Sequence, residues 1–183
     1  MRITTRTGRW LAASAVACCA TLLPGAALAA SAAPAAPARS AAHAIVPGCE
    51  TPGLVIWLDT NASAAAGSTY YHLEFTNLSG HRCTLNGFPF INAVSLTGGL
   101  LGHPATAFPV PAHQVTLDRG QTVKAALQIV DVGNVPAPVC KPVTASGLRV
   151  FPPNQTRAKV VPFPFRACSA RGPVFLSVGP VTK

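Results

Sequence analysis

Charged residues are scarce in this sequence, and acidic residues are the scarcest. Aspartate, glutamate, lysine and arginine together make up 10% of the 183 residues, whereas about 25% is usual for a soluble domain. No Gly-x-Ser-x-Gly motif is present, and no motif places two acids as a glycosidase pair. Few carboxylates are available to orient a catalytic histidine, because the chain has only Glu50, Asp59, Glu74, Asp118 and Asp131. The sequence therefore predicts a protein that is not an enzyme.

Residues that hold cofactors are also few. The only methionine is Met1, which leaves no axial ligand of the kind usual in blue-copper sites. The five histidines form no His-Glu-x-x-His motif, and no two cysteines have the Cys-x-x-Cys spacing. The pair Gly98-Gly99 lacks the Lys-Ser/Thr ending of a phosphate-binding loop. We expect no cofactor and no metal.

A long apolar segment occurs once, at the N-terminus. Three arginines precede residues 10–30, which are apolar, small and free of charge, and Ala27-Leu28-Ala29 is a small-x-small cleavage site. This pattern predicts a secretory signal peptide over residues 1–29 and a secreted or cell-envelope location. Lipidation at Cys18 is the alternative, although the preceding residues lack the leucine of a lipobox. No second apolar run is long enough for a transmembrane helix.

The rest of the chain divides into a linker and one domain. Residues 30–44 are rich in alanine and proline, which favour an extended tether. Residues 45–183 are expected to fold as a single domain, which is long enough to bury about two-thirds of its unfolded surface. Eleven basic residues follow the leader, against the five acids. This surplus of positive charge would suit an anionic surface.

Short strands separated by turns are predicted throughout the domain. In residues 68–79, Tyr71, Leu73 and Phe75 fall on one face, the period-two pattern of a half-buried strand. Residues 122–130 alternate in the same way, with a helix as the alternative, and residues 131–146 are expected to be a proline-rich loop. The other predicted strands are 54–60, 83–96, 115–118, 147–151, 158–165 and 173–178. Seven or eight strands without a convincing helix predict an all-β, antiparallel β-sandwich.

Four cysteines follow the leader, namely Cys49, Cys83, Cys140 and Cys168. An even number of cysteines in an exported chain predicts two disulfides. Four cysteines allow three connectivities. Sequential pairing, Cys49 with Cys83 and Cys140 with Cys168, is favoured because it matches the two halves of the domain; the other two pairings remain open.

Several motifs carry a family resemblance. They are YYHLEFTNLSGHRCTLNGFPF at 70–90, VTLDRGQTVKAALQI at 115–129, CKPVTASGLRVFPPNQT at 140–156 and FRACSARGPVFLSVGPV at 165–181. With them the domain resembles a secreted actinobacterial family named only as domain of unknown function 4232. The resemblance implies an immunoglobulin-like β-sandwich outside the membrane, with no established activity and no catalytic residues. It also implies that the four cysteines and the turn at residues 76–80 are family features.

Basic residues in the C-terminal third alternate with phenylalanines. Arg149 is expected to face solvent, because its neighbours Leu148 and Val150 are predicted to point inward. Arg157 and Lys159 follow the next turn, and with Arg149 they form the candidate patch for an anionic ligand. Phe151, Phe163 and Phe165 would then be aromatic platforms on a basic face. The alternative interpretation is ordinary solvated strand faces around a phenylalanine core.

The predicted function is that of a secreted, non-catalytic binding module. The expected partner is an anionic cell-envelope polymer or an extracellular protein, and not a nucleic acid. One alternative is a structural or accessory domain that contacts a protein through an edge strand; another is a hydrolase with an unrecognised site. A basic patch would favour the polymer, an exposed apolar patch the protein, and a pocket with perturbed carboxylates the enzyme.

Overall fold

The computed structural model describes residues 45–183. The predicted signal peptide over residues 1–29, the lipidation site at Cys18 and the linker over residues 30–44 lie outside the described residues. Those three predictions therefore remain predictions.

Strands dominate the described part of the chain. Eleven are present there: β1 (Leu54–Ala65), β2 (Ser68–Asn77), β3 (Cys83–Asn86), β4 (Phe90–Ser95), β5 (Leu100–Leu101), β6 (Thr106–Ala107), β7 (Gln114–Leu117), β8 (Thr122–Val130), β9 (Pro142–Phe151), β10 (Lys159–Cys168) and β11 (Leu176–Val178). One helical turn, α1, spans Ala137–Cys140, and single 3-10 turns cover Thr51–Gly53 and Val132–Asn134. None of the helices within residues 45–183 has the length and hydropathy needed to span a bilayer.

The strands form two main sheets with the core between them. One sheet has the order β1-β2-β8-β11-β6 and the other the order β10-β9-β4-β5, while β3 and β7 form a separate ribbon. Pairing is antiparallel except between β11 and β6. Both main sheets contribute completely buried residues to one hydrophobic cluster, including Leu73 and Phe75 from β2 and Leu148 and Val150 from β9. The predicted all-β antiparallel sandwich with two disulfides is confirmed.

The period-two patterns correctly identified the inward faces. In β8, Val123, Ala125, Leu127 and Ile129 are all buried, and the alternating residues are more exposed. The helix alternative for residues 122–130 is wrong, because β8 lies in the middle of its sheet, where it pairs with β2 along its whole length and with β11 over Leu127–Ile129. Tertiary pairing thus overrides the good helix propensity of this segment.

Residues 131–146 are not the continuous loop that their prolines predict. Helix α1 ends at Cys140, and β9 begins at Pro142, five residues before its predicted start. Pro142 is the first residue of its strand, a position at which a missing N–H is tolerated. Its partner in β10 is Cys168, so the strand begins beside the second disulfide.

Both disulfides have the sequential pairing. Cys49 is bonded to Cys83 with a Cα–Cα distance of 4.8 Å, and Cys140 to Cys168 with one of 4.6 Å. All four side chains are buried. The first bond ties the segment before β1 to β3, and the second ties the end of α1 to the end of β10.

Candidate functional site

The three cations of the predicted patch do not share one face. Arg149 in β9 is exposed and lies opposite Val160 of β10, whereas Lys159 of β10 lies opposite the buried Val150. Residues directly opposite each other in a ladder share a face, so Arg149 and Lys159 are on opposite faces of the sheet. The ammonium group of Lys159 donates a hydrogen bond to the backbone carbonyl of Leu54 in the other sheet.

Arg157 occupies a third place. It is exposed and lines a cavity of about 360 Å³ together with Glu50, Pro52, Gln155 and Thr156. Arg157 thus borders the same cavity as the carboxylate residue Glu50, and Arg149 does not line that cavity. Arg149 is the one member of the predicted patch that remains on an open strand face.

The phenylalanines also separate into two groups. Phe163 and Phe165 pack against the core, where Phe163 meets Tyr71 edge-on at 5.0 Å between ring centroids. Phe151 instead packs against Phe90 of β4, with ring centroids 5.8 Å apart. The alternative of a phenylalanine core therefore describes Phe163 and Phe165, whereas Phe151 lies outside that core, and its role as an aromatic platform stays a prediction.

Arg149, Phe151 and Phe90 belong to one surface on the outer side of the four-stranded sheet. The guanidinium of Arg149 lies over the ring of Phe151, 5.1 Å from its centroid, which is the geometry of a cation–π contact. Asn92 of β4 lies directly opposite Arg149, as Phe90 lies opposite Phe151. We call this surface the Arg149 face, consisting of Phe90, Asn92, Arg149 and Phe151 together with Arg171 at its border.

A cavity of about 400 Å³ opens on the Arg149 face. Its lining residues are Phe90, Asn92, Leu100, Gly102, His103, Pro104 and Arg171. Asn92 is only 5% exposed as a whole residue. Within residues 45–183 no buried side-chain nitrogen or oxygen lacks a hydrogen-bond partner, so the amide of Asn92, which bonds to no residue there, reaches solvent through the cavity. It can pair there with water or with a ligand. The cavity is the place from which that partner can reach Asn92.

The wall of this cavity is fixed by close packing at Gly102. This residue has φ +60°, and a Cβ atom there would lie 2.4 Å from the ring of Phe175 and 2.7 Å from the carbonyl oxygen of Cys168. Only glycine fits both the backbone conformation and the space. The β5–β6 loop is thereby held against the segment that follows the second disulfide, and this segment carries Arg171.

His103 lines the cavity and can supply a hydrogen-bond acceptor. Its Nδ1 lies 2.7 Å from the carbonyl oxygen of Pro104. A carbonyl oxygen accepts and does not donate, so Nδ1 carries the proton and Nε2 of the neutral ring is free to accept. The cavity therefore combines an amide, an imidazole acceptor and a guanidinium with the apolar side chains of Phe90 and Leu100.

The sheet that carries the Arg149 face has no acidic residue in any of its four strands. Strands β9 and β10 carry Arg149, Lys159 and Arg166, whereas β4 and β5 carry no charge. The acids Asp59 and Glu74 are on strands of the other sheet. The charge distribution of the Arg149 face therefore favours a negatively charged ligand.

Sequence reasoning missed Phe90 and Asn92 as site residues. Phe90 and Asn92 are two residues apart in one strand, so the period of two would have placed them on one face, although burial in this strand does not alternate. Their alignment with β9 depends on strand pairing between segments 60 residues apart, for which the sequence carries no signal. Arg171 is another basic residue of the C-terminal third, but its place beside Phe90 and Asn92 could not be inferred from the alternation.

Three potential metal ligands meet on the outer side of the other sheet. Asp59, His72 and Glu74 each offer one ligand atom, and these atoms lie within 4.8 Å of one another. Burial raises the pKa of the Glu74 carboxyl, although the nearby His72 and Lys124 lower it in part, and Asp59 adds to the increase. No sequence pattern indicates this group, because Asp59 is 13 positions from His72 and no metal motif contains that spacing.

Comparison with known proteins identifies the family and nothing more specific. Searches of curated proteins and of solved structures found no match to the chain. The family model described as Domain of unknown function (DUF4232) matches residues 49–182, from the first disulfide cysteine almost to the C-terminus. The chain therefore belongs to the family of domain of unknown function 4232.

Proposed function

We propose that the protein is a secreted, non-catalytic binding module that holds an anionic saccharide polymer of the cell envelope on the Arg149 face. The observation that carries this proposal is the guanidinium of Arg149 over Phe151, next to a cavity lined by Asn92 and Arg171. The predicted leader and the two disulfides support an extracytoplasmic location, because disulfides persist in oxidising compartments.

The chemistry of the Arg149 face matches two different parts of such a ligand. Arg149 and Arg171 can form charge-assisted, bidentate hydrogen bonds with a carboxylate or phosphate. The exposed edge of Phe90, which is 50% accessible, provides an apolar surface for the flat side of a sugar ring. Asn92 and Nε2 of His103 can pair with hydroxyl groups.

A second candidate is a protein partner on the same face. Leu100 and Val160 are 50% and 60% exposed on the two outer strands of this sheet, and exposed apolar residues are typical of protein interfaces. Addition of a strand at the β10 edge is less favoured, because Pro162 and Pro164 cannot donate backbone hydrogen bonds. No carboxylate lines the cavity on the Arg149 face.

The test compares charge removal on the Arg149 face with equal charge removal elsewhere. The double variant Arg149→Ser/Arg171→Ser is expected to bind immobilised polygalacturonate at least tenfold more weakly, since hydrogen bonds to charged groups contribute about 1.5–3 kcal/mol each. The control Arg119→Ser/Arg157→Ser has the same net charge and leaves the face intact. Binding of the wild type should weaken as salt rises, because the screening length is about 8 Å at physiological salt.

A second pair of probes separates the saccharide from its charge. Phe90→Ala is expected to weaken binding to polygalacturonate and to leave binding to polyphosphate, which has no sugar ring, unchanged. If both double variants bind polygalacturonate equally, the Arg149 face is not the site. If the wild type binds neither polymer but retains an envelope protein through Leu100 and Val160, the second candidate replaces the first.

A further inference from the structure

The outer side of the five-stranded sheet carries a preformed set of metal ligands, independent of the Arg149 face. Asp59 of β1 lies directly opposite His72 of β2, and Glu74 is two residues farther along β2 on the same side. The register of one antiparallel pair therefore places an imidazole and two carboxylates on one surface. All three side chains are partly buried, neither enclosed by the core nor fully in solvent.

The carboxylate of Asp59 is held in place by its own turn. Its Oδ1 accepts hydrogen bonds from the backbone N–H and the side-chain amide of Asn61, both at 3.0 Å. The regular register between β1 and β2 is interrupted just after Asp59, which makes room for this turn. Ligating carboxylates are typically oriented by such outer hydrogen bonds, and Oδ2 remains available.

The other two ligands are unengaged within the described chain. Neither the ring of His72 nor the carboxylate of Glu74 makes a hydrogen bond there, and the ion pair found in residues 45–183 joins Arg82 to Asp118. Lys124 lies opposite Glu74 on β8 without forming an ion pair with it. Three ligand atoms are thus close together without satisfying one another.

We propose that Asp59, His72 and Glu74 bind a divalent transition-metal ion of the Zn²⁺ class. Zn²⁺ is bound by histidine nitrogen and carboxylate oxygen at about 2.0–2.2 Å, which places ligands of a tetrahedral site about 3.4 Å apart. The ligand atoms now lie within 4.8 Å of one another, so rotation of the side chains would have to bring them closer by at most about 1.4 Å. One imidazole with two carboxylates favours such an ion over Ca²⁺ or Mg²⁺, which prefer oxygen ligands only. Solvent completes the coordination.

Trp57 provides a local reporter of this site. It lies opposite Glu74 and two residues before Asp59, on the same side of the sheet, and it is 45% exposed. A paramagnetic ion bound at the site, such as Cu²⁺ or Co²⁺, is expected to quench its fluorescence. The only other tryptophan is Trp10, so the variant Trp57→Phe isolates the local signal.

Calorimetric titration of the full chain with Zn²⁺ tests the proposal. Cys18 and Cys19 are replaced by Ser in every sample, so that no thiol competes for the metal. We expect saturable binding of one ion, weakened at least tenfold by His72→Gln and by Asp59→Asn. The matched control His113→Ala removes an exposed histidine elsewhere and should bind as the parent does.

Two results would overturn the site. One is parent binding that is absent or does not saturate; the other is equal affinity in the parent and in His72→Gln. Far-UV circular dichroism establishes that each variant is folded. If His72→Gln does not fold, the near-isosteric variant Asp59→Asn still tests the site. Quenching by Co²⁺ that persists in Trp57→Phe would place the ion elsewhere.

Discussion

Asn77 shows how one buried side chain can organise a whole corner of the protein. It is completely buried at the end of β2, and its amide nitrogen donates to the carbonyl oxygens of His81, Leu117 and Asp118 at 3.0–3.3 Å. Its Oδ1 accepts from the backbone N–H of Ser79 at 3.0 Å. One amide thus joins the end of β2, the following loop and the β7–β8 turn.

Replacing Asn77 by alanine is expected to destabilise the fold by about 2–3 kcal/mol, because buried carbonyl groups and a backbone N–H lose their partners together. Ser79→Ala is the matched control. It removes a partly exposed hydroxyl 2.6 Å from the same oxygen, and we expect a loss of less than about 1 kcal/mol. Urea unfolding of both variants measures the difference. An equal effect of the two substitutions would contradict the central role of the Asn77 amide.

At the scale of elements, β9 and β10 come into close backbone contact at Gly147. A Cβ atom at this position would lie 2.3 Å from the carbonyl oxygen of Val161 and 3.1 Å from the backbone nitrogen of Phe163. The register of β10 shifts between Pro162 and Phe165, directly opposite this point. Glycine therefore allows the irregular strand to approach its neighbour.

The variant Gly147→Ala tests this close approach. Alanine is the better residue in a regular strand or helix, so propensity alone predicts a small gain. The clash with backbone atoms reverses the sign, and we expect a loss of about 2 kcal/mol. Gly172→Ala is the control, since nothing lies within 4 Å of its added Cβ. A thermal melting temperature for Gly147→Ala at or above that of the wild type would refute the argument.

The elements also show which parts of the fold a single sequence can predict. The inward faces of β2 and β8 followed from alternation, because burial of one face imposes a period of two. The early start of β9 could not be predicted from alternation, because its first residues pair with the far end of β10. The short strands β5 and β6, of two residues each, are too brief for any periodic signal.

The candidate sites illustrate the same limit. Arg149 was correctly expected to point outward from its own strand. Its separation from Lys159 was not expected, because the register between β9 and β10 decides which residues are opposite each other. The proximity of Asp59 to His72 could not be predicted for the same reason, because it depends on the register between β1 and β2. Chemistry within one strand can be predicted from its sequence, whereas chemistry shared between strands requires their alignment.

For the whole molecule, the two disulfides constrain loops of similar length. They close sequence separations of 34 and 28 residues, and the loop-entropy relation gives about 3.5–4 kcal/mol for each. We expect Cys49→Ala/Cys83→Ala and Cys140→Ala/Cys168→Ala to lower the free energy of unfolding by nearly equal amounts, as measured in urea. If one double variant loses more than twice as much free energy of unfolding as the other, packing around the sulfurs contributes more than chain entropy.

The position of β8 between β2 and β11 determines when its two edges become paired during synthesis of the chain. A chain is synthesised from its N-terminus, so the hairpin of β1 and β2 is available long before Thr122–Val130. The other edge of β8 stays unpaired until Leu176–Val178 is synthesised. The backbone of Thr182 then forms a further antiparallel bridge with Lys124. Until β11 is synthesised, the growing chain presents an open strand edge that can pair with a neighbouring copy. Synthesis of β11 thus removes the edge of β8 through which the nascent chain could associate with itself.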